Sequence, residues 1–267
     1  MLYYLHNRQF VTILSQNKTT GDERRSALFF AMNELLLIGS LVFIFGAILL
    51  SYRLFGKSGL FAMTAFCTVA ANIEVMILVH AFGMDQTLGN VLFAASFLIT
   101  DILSENEGKR EADRAANMGI FITALFLLVS SGWLLYTPAP SDTVMPAVRV
   151  LFSGTPRVML SSLLVYAITQ KFDVWLYHAW WSFTQKKWGD SRRFLWLRNN
   201  GSTMISQLLN TVLFTLGAFA GTYDFKTILS ICGSSYLIFF VAALLDTPAV
   251  YLARRMKQRH LAKEQDL

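Results

Sequence analysis

Apolar runs of about 20 residues recur along the chain, and they constrain its fold more than any other feature. We count six or seven such runs, each long enough to cross about 30 Å of hydrocarbon as an α-helix. Of the 267 residues, 54% are hydrophobic and 15% are charged, whereas a typical soluble domain has about 25% charged residues. The sequence therefore predicts an all-α fold, that of a polytopic integral membrane protein.

We predict seven membrane helices, of which the first is an N-terminal extra helix and the other six form a core. Their approximate bounds are 27–52, 58–82, 87–103, 114–136, 156–183, 197–220 and 225–251. The turn GMDQ joins the second helix to the third, and the loop TPAPSDTVMPAVRVLFSGT joins the fourth to the fifth. The predicted domain boundaries are an N-terminal segment with the first helix over residues 1–57, a six-helix core over 58–254 and a basic tail over 255–267.

The basic residues fall at the ends of the predicted helices, which explains the net charge of +6 without a nucleic-acid partner. Seven helices divide the Lys and Arg residues into 15 on the side of the C-terminus and 7 on the side of the N-terminus, with Lys171 inside a helix. The positive-inside rule then predicts that the C-terminus is cytoplasmic and the N-terminus outside. Cys67 and Cys232 lie far apart within apolar runs, so we interpret them as packing residues rather than as a disulfide or metal site.

Polar residues inside the predicted helices are the candidate binding residues, because polar groups in a membrane interior need partners or a cavity. On the third helix, Asp101 and Glu105 are four residues apart and so share a face. On the sixth helix, Asn200, Thr203, Gln207 and Asn210 form one stripe. The complete set of predicted substrate-binding residues is Asn72, Asp101, Glu105, Gln170, Asp173, Trp175, Asn199, Asn200, Thr203, Gln207, Asn210 and Asp246.

Each of these residues also has an ordinary structural interpretation. Amides such as Asn72 and Gln207 serve as interhelical hydrogen-bond partners, worth about 0.6–2 kcal/mol each. Trp175 fits an interfacial aromatic belt as well as a ligand contact, and Arg198 fits an anchor at the level of the headgroups. The mixed donors and acceptors on several helices nevertheless favour a small polar solute bound within the membrane, since an ion channel more often has one ring of like residues.

Two other classes of function compete with transport. An intramembrane hydrolase would need a nucleophile with a paired base, but neither HExxH nor GxSxG occurs, and Ser153 and Ser161 have no histidine nearby in the sequence. We therefore expect that the protein is not an enzyme and has no catalytic residues. A structural or assembly subunit is the remaining alternative.

The segments FLITDILSENEG, DVWLYH, WLRNNGSTMISQLLNT and LLDTP resemble the queuosine precursor transporter family, also called the vitamin uptake transporter family. The resemblance extends over about residues 58–254, and the first helix looks like the N-terminal extension of a longer subfamily. It implies a bacterial inner-membrane protein that imports a 7-deazaguanine precursor of queuosine for salvage into transfer RNA modification. The alternatives left open are another vitamin or nucleobase as substrate, and a substrate-capturing subunit of a larger uptake machine.

The resemblance also implies which residues matter. By motif position they are Thr100, Asp101, Glu105, Asp173, Arg198, Asn199, Ser202, Thr203, Ser206, Gln207 and Asp246. The family often has an acidic residue where this chain has Asn210. Another helix must then supply the negative charge that this position lacks, and Asp101 or Asp173 is the expected source. The expected partners are a deazapurine base and the lipid bilayer, with homo-oligomerisation left open. We expect no cofactor, no metal and no nucleic acid.

Overall fold

Long helices make up nearly all of the computed structural model, which describes residues 20–152, 156–189, 194–221 and 224–265. Eight helices and one β-hairpin lie within these ranges. In chain order they are α1 (Thr20–Phe55), α2 (Lys57–Glu74), β1 (Leu78–Ala81), β2 (Met84–Thr87), α3 (Gly89–Asn106), α4 (Lys109–Trp133), α5 (Met145–Phe152), α6 (Pro156–Trp188), α7 (Leu195–Phe219) and α8 (Phe225–Gln265). The chain is therefore an all-α protein with a single small hairpin in the described part.

The seven longer helices run alternately between two ends of a bundle. At the end that we call the charged end, Tyr52 of α1 donates a hydrogen bond to Glu107 after α3 (2.8 Å), and Lys257 of α8 pairs with the same carboxylate (3.0 Å). At the opposite, hairpin end, Asn33 of α1 donates a hydrogen bond to the backbone carbonyl of His80 in β1 (3.0 Å). Helix α8 also contacts strand β2, so both α1 and α8 extend from one end of the bundle to the other.

Helix α3 lies at the centre of the bundle and packs against α1, α2, α4, α6 and α8. Thirteen of its 18 residues are buried, so it has no exposed face of the kind that an amphipathic surface helix presents. Its apolar residues belong to one core that continues through α1 and α8. Because α3 is enclosed on all sides, the polar residues near its C-terminal end face other helices rather than solvent or lipid.

The β-hairpin corrects our prediction of a second helix over 58–82 joined by a turn at GMDQ. Helix α2 ends at Glu74, and β1 pairs with β2 in antiparallel register, with Ala81 opposite Met84. The two turn residues, Phe82 (φ 55°) and Gly83 (φ 72°), both have positive φ, as in the type I′ turn that suits a two-residue hairpin. The Phe82 amide donates to Glu34 Oε1 of α1 (2.9 Å), which helps to hold a bulky residue in this unusual conformation.

Two other parts of the chain differ from the prediction. The predicted loop after α4 contains the short helix α5, whose Phe152 makes edge-on ring contacts with Phe126 and Trp133 of α4. The tail predicted after residue 254 continues the last helix as far as Gln265. At the start of that helix, hydrogen bonds from the Thr227 hydroxyl and amide to Asp224 lower the pKa of the Asp224 carboxyl.

Four helices in the described ranges are long and apolar enough to cross a membrane. They cover Met32–Phe55, Lys109–Trp133, Leu195–Phe219 and Phe225–Arg259. Helices α2 and α3 have 18 residues each, about 27 Å at 1.5 Å per residue, and α6 has 33 residues. The protein thus has the helices of a multi-pass membrane protein, and its two cysteines, Cys67 and Cys232, are free thiols.

Candidate functional site

Three carboxyl groups from three helices come together inside the bundle. Asp101 of α3, Asp173 of α6 and Asp246 of α8 are each at most 2% exposed. The side chains of Asp101 and Asp173 face each other within interaction distance, and Asp246 lies near both. We call these three residues the acidic cluster.

Helix α7 supplies the polar side chains that hold two of these carboxyl groups. The Thr203 hydroxyl donates to Asp101 Oδ2 (2.9 Å), and the Asn199 amide donates to Asp246 Oδ1 (2.6 Å). These two residues are four apart, so a single face of α7 reaches both α3 and α8. Ser206 lies beside Asp173, but no contact there has the geometry of a hydrogen bond.

Several oxygen atoms in and beside the acidic cluster have no hydrogen-bond partner among the described residues. They are both carboxylate oxygens of Asp173, Oδ1 of Asp101, Oδ1 of Asn199, Oγ of Ser206 and Oε1 of Gln207. Buried polar atoms are normally paired, because an unpaired buried donor or acceptor costs about 1–3 kcal/mol. A group of unpaired acceptors in one place is therefore suited to a ligand that brings hydrogen-bond donors.

A second set of polar residues forms at the charged end, around Glu105. Arg198 donates to Glu105 through Nε (2.9 Å) and Nη2 (2.7 Å), and the Tyr177 hydroxyl donates to Glu105 Oε2 (2.8 Å). Arg254 of α8 approaches the same carboxylate (3.4 Å), and the Arg198 guanidinium lies over the Trp181 ring, 4.3 Å from its centroid. These five residues, which we call the Glu105 network, tie α3, α6, α7 and α8 together.

The acidic cluster lies one helical turn deeper than the Glu105 network. Asp101 precedes Glu105 by four residues on α3, and Asp173 precedes Tyr177 by four residues on α6, which is about 6 Å along each axis. Arg198 is fully buried, so the network closes this end of the bundle above the cluster. The two arrangements together form a polar site with one closed side.

Comparison with known proteins assigns the chain to a family. Residues 87–253 match the model of a protein family described as "Putative vitamin uptake transporter". That range begins at the end of the hairpin and contains α3, α4, α5, α6, α7 and most of α8. It includes the acidic cluster and all of the Glu105 network except Arg254. The chain belongs to the vitamin uptake transporter family.

One curated relative strengthens this assignment. A protein of Bacillus subtilis (strain 168) named "Probable queuosine precursor transporter" is 42% identical over 209 residues, which cover 78% of this chain and 89% of the relative. No solved structure matches the chain. Membership in this transporter family, together with the apolar helices, makes the chain a multi-pass membrane protein with a role in uptake.

Among the predicted site residues, the structure brings together five in and beside the cluster: Asp101, Asp173, Asn199, Thr203 and Asp246. Gln207 is buried one turn beyond Thr203 on α7, and Asn210 is also buried on that helix. Glu105 belongs to the adjoining network. These residues include most of the predicted stripe on α7.

Four predicted residues lie elsewhere or are already paired within the protein. Asn72 donates to the Thr68 carbonyl of its own helix (2.7 Å), and Gln170 bonds to Ser96 (2.7 Å) and Thr100, so it joins α6 to α3. Asn200 donates to Thr247 of α8 (2.7 Å) at the edge of the site. Trp175 is 55% exposed and stacks on Phe172, so it faces outward from the bundle rather than toward the cluster.

Spacing along the sequence did not reveal the role of Arg198. We expected an anchor at the headgroup level, whereas the structure buries its side chain completely against Glu105 and Trp181. The resemblance had singled out Arg198 and Glu105 separately, and the i, i+4 spacing of Arg198, Ser202 and Ser206 would have placed Arg198 on the buried face of α7. Within the described ranges, no group of His, Cys, Asp or Glu has a geometry suited to a metal ion.

Proposed function

We propose that the protein imports a 7-deazaguanine precursor of queuosine by alternating access around the acidic cluster. The observation that carries this proposal is the set of unpaired buried acceptors on Asp101, Asp173 and Gln207. A deazaguanine has a ring N–H and an amino group side by side, and a carboxylate can accept from both. The printed name of the Bacillus subtilis relative supports the same substrate.

The residues would divide the work of binding according to their chemistry. Asp173, whose two oxygens are both unpaired, is suited to the paired N–H and amino donors of the base, and Gln207 Oε1 could accept a further donor. Asn199 and Thr203 hold Asp246 and Asp101 in position. Because α7 carries both Asn199 and Thr203 as well as Gln207, a shift of α7 against α3 and α8 would alter the whole site at once.

The Glu105 network would act as the closed gate on one side of the site. It is held by side chains from α3, α6, α7 and α8, which are the same helices that contribute to the cluster. Opening toward that side requires the bonds from Arg198 and Tyr177 to Glu105 to break together. In the structure they are intact, so this conformation would release substrate only after the network separates.

We further propose that all seven longer helices cross the membrane, with the N-terminus outside and the charged end in the cytoplasm. The alternate direction of the helices supports an odd number of crossings, and the excess of basic residues on the side of the C-terminus supports the orientation. In this arrangement residues 1–57 contain the additional N-terminal helix, 58–254 form the six-helix transporter core, and the basic tail from 255 is cytoplasmic. For a bacterial protein the membrane would be the inner, cytoplasmic membrane.

The direct test uses a bacterial strain that cannot synthesise queuosine precursors and lacks its own importer. Expression of the chain should restore queuosine in transfer RNA when a precursor is supplied at low concentration. Asp173→Ala should abolish this gain and Gln207→Ala should reduce it, because the first removes two unpaired acceptors from the site and the second removes one. Asp113→Asn, which alters a partly exposed carboxylate paired with Lys171 (3.3 Å), should retain it.

Three outcomes would contradict the proposal. Failure of the wild-type chain to restore queuosine, with normal amounts of protein in the membrane, would exclude import of this precursor by the chain alone. Competition by unrelated purines or vitamins at equal concentration would instead favour the broader substrate range in the family's description. Restoration only together with further membrane subunits would favour a substrate-capturing component.

A further inference from the structure

The acidic cluster has a chemical requirement that substrate recognition alone does not explain. Asp101 and Asp173 face each other, with Asp246 adjacent, but none of the three forms an ion pair with a Lys or Arg side chain in the described part of the chain. Buried carboxylates that lie together cannot all carry charge without a compensating cation. Something must therefore balance this cluster in the conformation that the structure shows, in which the Glu105 network is closed.

The contact between Asp101 and Asp173 indicates what that species is. Both groups are acceptors when ionised, and two acceptors attract each other only if a proton lies between them. The Thr203 hydroxyl already occupies Oδ2 of Asp101 (2.9 Å), which leaves Oδ1 of Asp101 and both oxygens of Asp173 without a donor. One proton shared by the two carboxyl groups would satisfy this geometry, whereas no group of three His, Cys, Asp or Glu side chains among the described residues is arranged to hold a metal ion.

The surrounding groups do not offer a different source of compensation. Arg198, a fully buried cation, donates three hydrogen bonds to Glu105 through Nε and Nη2, so its charge is balanced there, although its Nη1 has no partner among the described residues. Among the titratable side chains of the packed helices, Tyr177 of α6 and Asp246 of α8 interact with Asp101. The other charged side chains nearby are already paired: Glu105 of α3 with Arg198 of α7 and Arg254 of α8, and Asp113 of α4 with Lys171. Cys67 of α2 is a buried thiol. Helix α1 contributes Tyr52, which bonds to Glu107 at the charged end.

We propose that the protein is a proton symporter, in which the Asp101–Asp173 pair binds one proton that enters the cell with each molecule of substrate. This inference rests on the proposed function. The proton arrives from the outer side, lies between the two carboxyl groups while the base is bound beside them, and leaves from Asp173 to the cytoplasm when the Glu105 network opens. No bond other than O–H forms or breaks, and the substrate leaves unchanged. The emptied carrier returns without this proton, and the pair takes a new one only after the site has opened to the outside again.

The test uses the purified full-length chain in liposomes that enclose a pH-sensitive dye, with the membrane potential clamped at zero. With 7-deazaguanine as a neutral probe, an outside that is more acidic by one pH unit should drive accumulation of the base up to about tenfold, the ratio that balances one proton per molecule. The lumen should acidify as the base enters. Without the gradient, the base should only equilibrate.

Asp173→Asn tests the assigned pair, because the amide keeps the size of the side chain but cannot release a proton. Uptake that remains in this variant should no longer respond to the pH gradient, and acidification per molecule of base should be lost. Asp101→Asn should behave in the same way. Asp113→Asn removes a carboxylate outside the cluster and should keep both responses.

A binding measurement keeps the inference testable if the variants do not transport. In the wild-type protein, the affinity for 7-deazaguanine should change by up to about tenfold per pH unit over the range where the pair takes up its proton. Asp173→Asn should flatten that dependence, whereas Asp113→Asn should leave it unchanged. A dependence that persists in both cluster variants would overturn the assignment.

The failures of the two proposals differ. Exchange of the base across the membrane without proton movement would overturn symport and leave the proposed transport function intact. Release of protons as 7-aminomethyl-7-deazaguanine binds, with no binding of the neutral probe, would identify the cluster as a site for a cationic substrate and would also overturn symport. Absence of any binding or exchange of either probe would remove the proposed function, and the proton inference with it.

Discussion

Arg198 is the residue whose removal the structure penalises most directly. Its side chain is fully buried and donates three hydrogen bonds to Glu105, whose side chain is itself 4% exposed. Removing one partner of a buried ion pair leaves an uncompensated charge and costs about 3–5 kcal/mol. Arg198→Met should therefore lower the thermal stability of the detergent-solubilised protein strongly, as measured by the loss of a monodisperse peak after heating.

Two variants check that the effect belongs to the buried pair. Arg114→Met removes an exposed arginine that lies 4.0 Å from Glu111, and such surface pairs contribute at most about 1 kcal/mol. The double variant Arg198→Met with Glu105→Gln should recover part of the loss, because it removes both buried charges. Equal losses of thermal stability in Arg198→Met and Arg114→Met would show that the buried Arg198–Glu105 pair does not contribute more to stability than an exposed pair does.

Gln207 separates binding from stability at a single position. Its Oε1 is buried without a described partner, so replacing it by the similarly sized Leu removes an unsatisfied acceptor and should leave stability equal or higher. If Oε1 accepts a hydrogen bond from the substrate, Gln207→Leu should weaken binding of 7-deazaguanine roughly 2- to 10-fold. The measurement is the concentration of base that gives half of the maximal thermal shift.

The matched control is Gln185→Leu, which changes the same side chain at an exposed position of α6. It should leave the affinity unchanged. An unaltered affinity in Gln207→Leu would place the substrate away from this part of α7 and would restrict the site to the carboxyl groups of the cluster.

Residue spacing could predict which face of α7 is buried but not which residue each side chain meets. The period of the helix correctly placed Thr203, Gln207 and Asn210 in the interior. Glu105 and Arg198 are 93 residues apart, and nothing in their local sequence specifies that they pair. The periodicity of a helix predicts which of its side chains are buried, but the tertiary arrangement decides which residues they contact. The Glu105 network could therefore be found only in the structure.

At the scale of elements, glycine decides how closely α1 and α2 approach at the charged end. A Cβ added at Gly59 of α2 would overlap the backbone carbonyl oxygen of Ser51 and lie 2.6 Å from the Ser51 Oγ. Relieving this overlap would require the backbone of α1 to move. Gly59→Ala should force the two helices apart and cost about 1–3 kcal/mol, as overpacking does. Thermal stability of the purified protein measures the effect.

Gly46 provides the control in the adjoining helix. It lies in the middle of α1 with nothing within 4 Å of an added Cβ, so Gly46→Ala should be neutral or stabilising by up to about 1 kcal/mol through helix propensity. If both substitutions were equally harmless, α1 and α2 would not pack as closely in the protein as the structure has them.

Apolar patterning identified the long helices well and the small elements poorly. The predicted bounds of α4, α6 and α7 agree with the structure to within about one helical turn at one end or both. They do so because a helix that crosses the hydrocarbon needs an apolar run of a defined length, which the composition shows directly. The hairpin was missed because its strands have only four residues each. Strand β1, LVHA, continues the apolar run of α2, and the polar strand β2, MDQT, has the composition of a turn. Helix α5 was missed because the prolines before it, within its first turn and after it favoured the prediction of a loop.

At the scale of the whole molecule, the two ends of the bundle differ in charge. The charged end combines Lys57, Lys109, Arg254 and Lys257 with the acidic residues around Glu107, and the sequence has fewer Lys and Arg residues toward the hairpin end, 7 against 15. This asymmetry follows the helix directions that the structure gives. It is the basis for expecting the charged end on the cytoplasmic side of the membrane.

Labelling of single cysteines would measure that orientation. After Cys67 and Cys232 are replaced by Ser, Ser141→Cys introduces a thiol at an exposed position between α4 and α5, toward the hairpin end, and Lys186→Cys introduces one at the exposed end of α6, toward the charged end. A membrane-impermeant maleimide should label position 141 in intact cells and position 186 only after the membrane is permeabilised. The reverse pattern would invert the proposed topology, and labelling of both positions in intact cells would mean that α6 does not cross the membrane. Positions 141 and 186 lie on opposite sides only if the chain between them crosses the membrane an odd number of times. This one pair of thiols therefore tests both the orientation and the crossing by α6, on which the seven-helix arrangement depends.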